Sequence, residues 1–309
     1  MKKAFSLIEV IFVIVILSIV ASISSQIIVQ VYENYITQRA VYKVSTKTEL
    51  VANQIVNRLT YAIEKSAVIK TSNFEINSTH HIEGVDWKKM NDINDTDDFC
   101  IVEWIGFDND SFSAGRRPYW SGVANYETAS KSSFTSPASQ FNNLNTIISN
   151  LSNGEVDLTG GVDLPAILFS QEDNYYKGTE EYTPQCMGLI DNNRSCIFRI
   201  EQNSTNKLNF PDAKPKIVTE RYKLAWSAYA LVPIKQANGL YNLYLHYNYQ
   251  PWEGEDYNNL STPKSLLMTN MSVFKFTQNG GSIQFKLCGT EDIGQDYNIS
   301  TCKEKVIIR

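Results

Sequence analysis

From Phe5 to Ile23 the chain is apolar at every position except Ser6, Glu9, Ser18 and Ser22. Taken as a helix at 1.5 Å per residue, such a run comes close to the length needed to cross a bilayer. From Gln26 the pattern changes without a break. Val41, Val44, Thr48, Val51, Ile55, Leu59 and Ala62 recur every three or four positions, while Gln38, Arg39, Lys43, Lys47, Glu49, Asn53, Asn57 and Arg58 fall on other faces. The first glycine is Gly84 and the first proline Pro118. The pattern therefore predicts one helix from about Phe5 to about Lys70, roughly 95 Å long. It divides into an apolar part, 5–25, and an amphipathic part, 26–70. The amphipathic stripe suits the underside of a packed head or, alternatively, a coiled-coil seam.

Residues 71–309 read as a globular head. The stretch 71–160 is weakly periodic and rich in Asn, Asp, Ser and Gly, with apolar islands such as Phe99–Gly106. It predicts a loop-rich insertion with one or two strands and a short helix near Ser139–Leu151. The rest, 161–309, is mainly β. Strand patterns cover 166–170, 195–202, 216–224, 226–233, 240–249, 266–277, 282–287 and 305–308. Val273–Thr277 and Ser282–Leu287 alternate on either side of Asn279-Gly280, a hairpin signal. The fold class is thus α+β, with an antiparallel sheet whose apolar face packs on the helical stripe from Val41 to Ala62.

Charge placement gives the first segment an orientation. Lys2 and Lys3 directly precede the apolar run, which keeps that end cytoplasmic and sends the head outward. A cleaved secretory signal, a plain signal anchor and a prepilin leader all begin this way. A secretory signal has a shorter apolar core and a small-x-small cleavage site. A plain anchor has no use for Glu9, a carboxylate that is costly to expose to lipid and so needs a partner.

Ala4, then Phe5-Ser6-Leu7-Ile8-Glu9-Val10, resembles the prepilin cleavage and N-methylation motif of type IV pilin-like proteins. The resemblance implies cleavage between Ala4 and Phe5 by a prepilin peptidase, removing leader 1–4, and methylation of the new Phe5 terminus by the same type of enzyme. It also implies that Glu9 neutralises the terminal amine of a neighbouring subunit as helices pack into a filament. Family members usually carry Gly before the cut, where this chain has Ala4. The implied protein is a non-catalytic minor pilin or pseudopilin of a type IV pilus or type II secretion-like filament. Its partners would be other pilin-like subunits, the peptidase, the inner membrane and a filament assembly platform. The chain would cross the inner membrane once, with the head in the periplasm or on a surface filament. The larger pseudopilins, a long helix wrapped by an antiparallel sheet, are the implied architecture.

Composition adds little that conflicts. Net charge is −5, and loss of Lys2 and Lys3 makes it more acidic, so direct nucleic-acid binding is not expected. Five cysteines lack any metal-ligand spacing. In an exported chain, Cys186 with Cys196 and Cys288 with Cys302 suggest two local disulfides, leaving Cys100 over. No nucleophile elbow, P-loop, dinucleotide fingerprint or His-Glu-x-x-His occurs, and His80-His81 reads as surface decoration, so no enzyme activity and no cofactor are expected. Asp95, Asp97, Asp98, Asp108 and Asp110 are candidate calcium ligands, although EF-hand spacing is missing. Asn77, Asn94, Asn193, Asn203 and Asn298 each begin an N-x-[ST] sequon with an acidic residue two positions earlier, the longer pattern used by some bacterial oligosaccharyltransferases, and are glycosylation candidates. The reading from a different class is an adhesin head displayed on the same stem, contacting its target through aromatic-rich Tyr241–Trp252. An exported enzyme on a signal anchor is a third.

Overall fold

The computed structural model describes residues 6–63, 65–74, 81–92, 99–169, 183–212, 215–216, 218–279, 281–294 and 297–308. Helix α1 spans Leu7–Thr60, 54 residues, with Ser6 as its N-cap. It ends ten residues earlier than the periodicity predicts. The reason is competition from the sheet: Ile63 N–H donates to Ile105 O (2.8 Å) and Phe107 N–H to Tyr61 O (2.8 Å), with Ala62 bridged to Gly106. The chain leaves the helix already paired, and the β-branched run Val68-Ile69 goes into a strand instead of a last helical turn.

In chain order the remaining elements are β1 (Val68–Thr71), β2 (Trp87–Lys89), β3 (Phe99–Gly106), α2 (Asn109–Phe112), β4 (Ser133–Thr135) and α3 (Phe141–Leu151). Then come β5 (Ala166–Phe169), β6 (Phe198–Arg199), β7 (Glu201–Ser204), β8 (Lys207–Asn209) and β9 (Tyr222–Ala225). The last five strands are β10 (Ser227–Lys235), β11 (Tyr241–Tyr249), β12 (Lys264–Asn279), β13 (Ser282–Asp292) and β14 (Asn298–Ile308). An eight-stranded antiparallel sheet has the order β14-β13-β12-β11-β10-β3-β1-β2. Two three-stranded sheets, β4-β8-β7 and β6-β5-β9, stand beside it.

The α+β class and the helix-on-sheet packing hold. The 71–160 stretch does not stand apart, because β3 lies inside the large sheet between β10 and β1. The strand predicted over 216–224 begins only at Tyr222, and that predicted over 305–308 extends back to Asn298. In the hairpin, Asn279 is itself paired, opposite Ser282, where the Asn-Gly signal placed it in the turn.

Alternation along β3 separates two of the three cores. Val102 and Trp104 face α1 and pack with Val51, Ala52, Ile55 and Leu59, joined by Leu231, Leu243, Met268, Phe285, Leu287 and Ile307. Ile101 and Ile105 face the other way, with Val68, Ala228 and Ala230, under a cover that includes Leu189, Ile190, Trp252 and Tyr257. A third core gathers Phe134, Phe141, Leu144, Phe169, Phe198 and Tyr222 between α3 and the small sheets.

Candidate functional site: the exposed stem and its first turn

Residues 6–35 are exposed on every face, a free stem of about 45 Å at the helical rise. Its side chains are apolar over the first turns, with Leu7, Ile8, Ile11, Phe12 and Ile14 all open. In water such a surface would be penalised, so it calls for lipid or for other apolar helices. This is the one described helix long and apolar enough to cross a membrane. Ser18 Oγ–H donates to Ile14 O (2.7 Å), which leaves that hydroxyl satisfied without water.

Glu9 is the third residue of the helix, and it forms a capping box with Ser6. Ser6 N–H donates to Glu9 Oε2 (2.9 Å), Ser6 Oγ–H to the same oxygen (3.0 Å), and Glu9 N–H to Ser6 Oγ (3.4 Å). The positive end of the helix dipole lies at the same place. A carboxylate stranded in an apolar segment is thereby held by its own backbone while the chain is alone. It remains able to accept a further donor, such as an ammonium group from outside. Ala4 and Phe5, the predicted cleavage pair, lie outside the described residues.

The other half of α1 is fixed to the head by charge as well as by the core. Lys43 pairs with Glu291. Lys47 Nζ–H donates to Thr269 Oγ1 (2.5 Å), and Glu49 reaches Lys305 (2.5 Å) and Lys303 (3.5 Å). Gly289 leaves room for α1: a Cβ there would run into Met268 Cε of β12 and sit 2.8 Å from Thr48 Oγ1 and 3.2 Å from Val44 Cγ2. Sequence reasoning missed these contacts. The partners are up to 256 residues apart, and neither a lone glycine nor an alternating Lys carries a local signal.

The remaining candidates separate. Cys186 bonds Cys196 with a Cα separation of 5.4 Å, and Cys288 bonds Cys302 at 4.0 Å, the latter pair directly opposite in the β13–β14 ladder. Cys100 is half-buried on β3, against the core that faces away from α1. Of the calcium candidates, Asp108 is buried and caps α2, its Oδ1 accepting from Ser111 N–H (3.1 Å), while Asp110 is exposed beside it. Among the described residues no three His, Cys, Asp or Glu side chains gather at one point. Asp95, Asp97 and Asp98 fall outside those residues. So do Asn77, Asn94 and His80, whereas Asn193, Asn203 and Asn298 are exposed on the head. His81 stacks on Phe74, ring centroids 4.2 Å apart.

The aromatic segment Tyr241–Trp252, a contact surface in the adhesin reading, is mostly interior. It forms β11 between β10 and β12, and Tyr249 and Trp252 are fully buried. Strand aromatics in the middle of a sheet are recruited into packing, and Tyr241, Tyr244 and Tyr247 keep only partial exposure.

Residues 1–25 match the family model of the prokaryotic N-terminal methylation motif, the type IV prepilin signal. The match covers the segment that carries Ala4, Phe5 and Glu9 and stops before the head. Comparison with curated proteins and with solved structures gave no match.

Proposed function

We propose that this chain is a non-catalytic minor pilin or pseudopilin, a substrate of prepilin peptidase that joins a type IV pilus or type II secretion-like filament through α1. The observation that carries the reading is the combination of the methylation motif with a free stem whose apolar part, residues 7–25, holds one acidic side chain, Glu9, in its first turn. Cleavage before Phe5 creates an ammonium group at that turn. In a medium of low dielectric constant an ammonium and a carboxylate attract strongly, and each is penalised if left alone. A stem docking beside another therefore settles where the terminus of one meets the Glu9 of its neighbour. Register along the filament follows from that pairing.

The partners in this reading are other pilin-like subunits, the peptidase and methyltransferase, the inner membrane and the filament assembly platform. The stem spans the inner membrane once, with the head on the far side. Residues 61–309 form a bulky head for dense helical packing, which favours a minor over a major subunit. No cofactor takes part. The exposed sequons at Asn193, Asn203 and Asn298 are available for glycans, and an intact mass equal to that of the bare chain would end that idea.

Mass spectrometry of the native N-terminus tests the core of the proposal. The expected result is a methylated Phe5. An intact Met1, or a cut near residue 25, would overturn it. Glu9→Ala separates assembly from anchoring: the variant is expected to be cleaved and membrane-bound yet absent from sheared filaments. Its normal recovery there would refute the role given to Glu9.

A further inference from the structure

Among the described residues the least solvated charges lie far from the stem's tip. Lys70 on β1 and Glu103 on β3 form an ion pair, with side chains only 1% and 2% exposed. Register places them on the same face of the sheet, since Val68 stands opposite Glu103 and Lys70 opposite Ile101. Each polar atom is directed. Lys70 Nζ–H donates to Leu189 O (2.6 Å), and Tyr249 Oη–H donates to Glu103 Oε1 (2.7 Å). The Phe74 ring lies 4.1 Å from Nζ and the Tyr257 ring 5.4 Å, closing the pocket with aromatic carbon.

An ion pair so enclosed gains little over an apolar pair, because desolvating both charges cancels most of their attraction. The same enclosure changes their chemistry. In water, amine and carboxylic acid are held apart from condensation by ionisation, and any amide formed is exposed to hydrolysis. In a dry pocket, moving one proton from Nζ to the carboxyl yields a neutral amine against a neutral acid. Burial pushes the Glu103 carboxyl above its usual range, against the pull of Lys70, which eases protonation of that carboxyl. Fixed groups in contact react as if at an effective concentration of about 10⁵ M or more.

We propose that Lys70 and Glu103 condense to an intramolecular amide that joins β1 to β3. The nitrogen lone pair of Lys70 attacks Glu103 Cδ, and the Tyr249 hydroxyl stabilises the negative charge growing on Oε1. The proton leaving nitrogen passes to the departing Oε2 hydroxyl, which is lost as water. One C–N bond forms, one C–O bond breaks, and no oxidant, metal or nucleotide is consumed. The Leu189 carbonyl holds one N–H, and with it the direction in which the lone pair points. Strand β1 is the first element after α1, so the link would fasten the sheet at the point where a pull on the stem arrives.

The test uses the full-length protein extracted from membranes in detergent, with disulfides reduced and the chain denatured. The expected mass is lower by one water than the sequence and its N-terminal processing require. Digestion should release a branched peptide joining Lys70 to Glu103. Lys70→Arg, which keeps the cation but cannot acylate in this way, should regain the full mass. An unmodified wild-type mass, or a water loss mapped to any other residues, overturns the proposal even if the variant fails to fold.

Discussion

Asp108 is buried, and burial pushes its carboxyl up to about 6, with hydrogen bonds from Ser111 opposing. Raised in the fold, the group binds its proton more tightly there than in the unfolded chain. Its contribution to stability is therefore complete below the unfolded value of 3.8 and is lost as pH rises through about 6. Asp108→Asn keeps an oxygen for the α2 cap and removes the titration. Between pH 4 and pH 7 wild type should lose about 2 kcal/mol relative to this variant, most of what the full shift allows. Urea midpoints of both proteins at the two pH values measure it, and parallel behaviour would show that Asp108 is solvated. At Glu9 the capping box sets the opposite case, in which a carboxylate is made tolerable by donors three residues away and kept ready for exchange.

At the level of elements, the contact of α1 with the sheet depends on Gly289. Gly289→Val places branched carbon against Met268 as well as Thr48 and Val44, and overpacking of this kind costs about 1–3 kcal/mol. The variant should unfold at lower denaturant, whereas substitution at exposed Gly239, where an added Cβ meets open space and φ is +80°, tests loop backbone alone. Joint replacement of Cys288 and Cys302 by Ser opens a loop of 14 residues' separation and should cost about 3 kcal/mol, seen in the same assay. How far these elements were legible follows from their range. The stem, its stripe and the long strands β10 to β13 are written in local periodicity, and the short spacing of each cysteine pair suggested its bond. The helix end was not legible, because Ala62 and Ile63 are drawn off by β3, more than 40 positions along. Nor was the central place of β3, since an apolar island shows that it is buried but not which strands flank it. Asp108 resembled a ligand in sequence because its capping role is fixed by Ser111 and its burial by distant elements.

For the molecule as a whole, one rigid rod serves two environments, and the stem tip and the head answer to separate tests. Loss of Glu9 should spare the head's thermal unfolding, while Gly289→Val should spare cleavage before Phe5. The helix also meets its partners late. Glu49 and Lys305 are joined across 256 residues, and Ile55 packs in the same core as Ile307. At ordinary rates of synthesis that gap lasts roughly 10–50 s. Throughout it, the stripe from Val51 to Leu59 has been made but β14 is incomplete, so the head closes only when synthesis is nearly done. The far half of the helix is thus a waiting adhesive surface on a nascent chain, and the cell must shelter it until its last strand emerges.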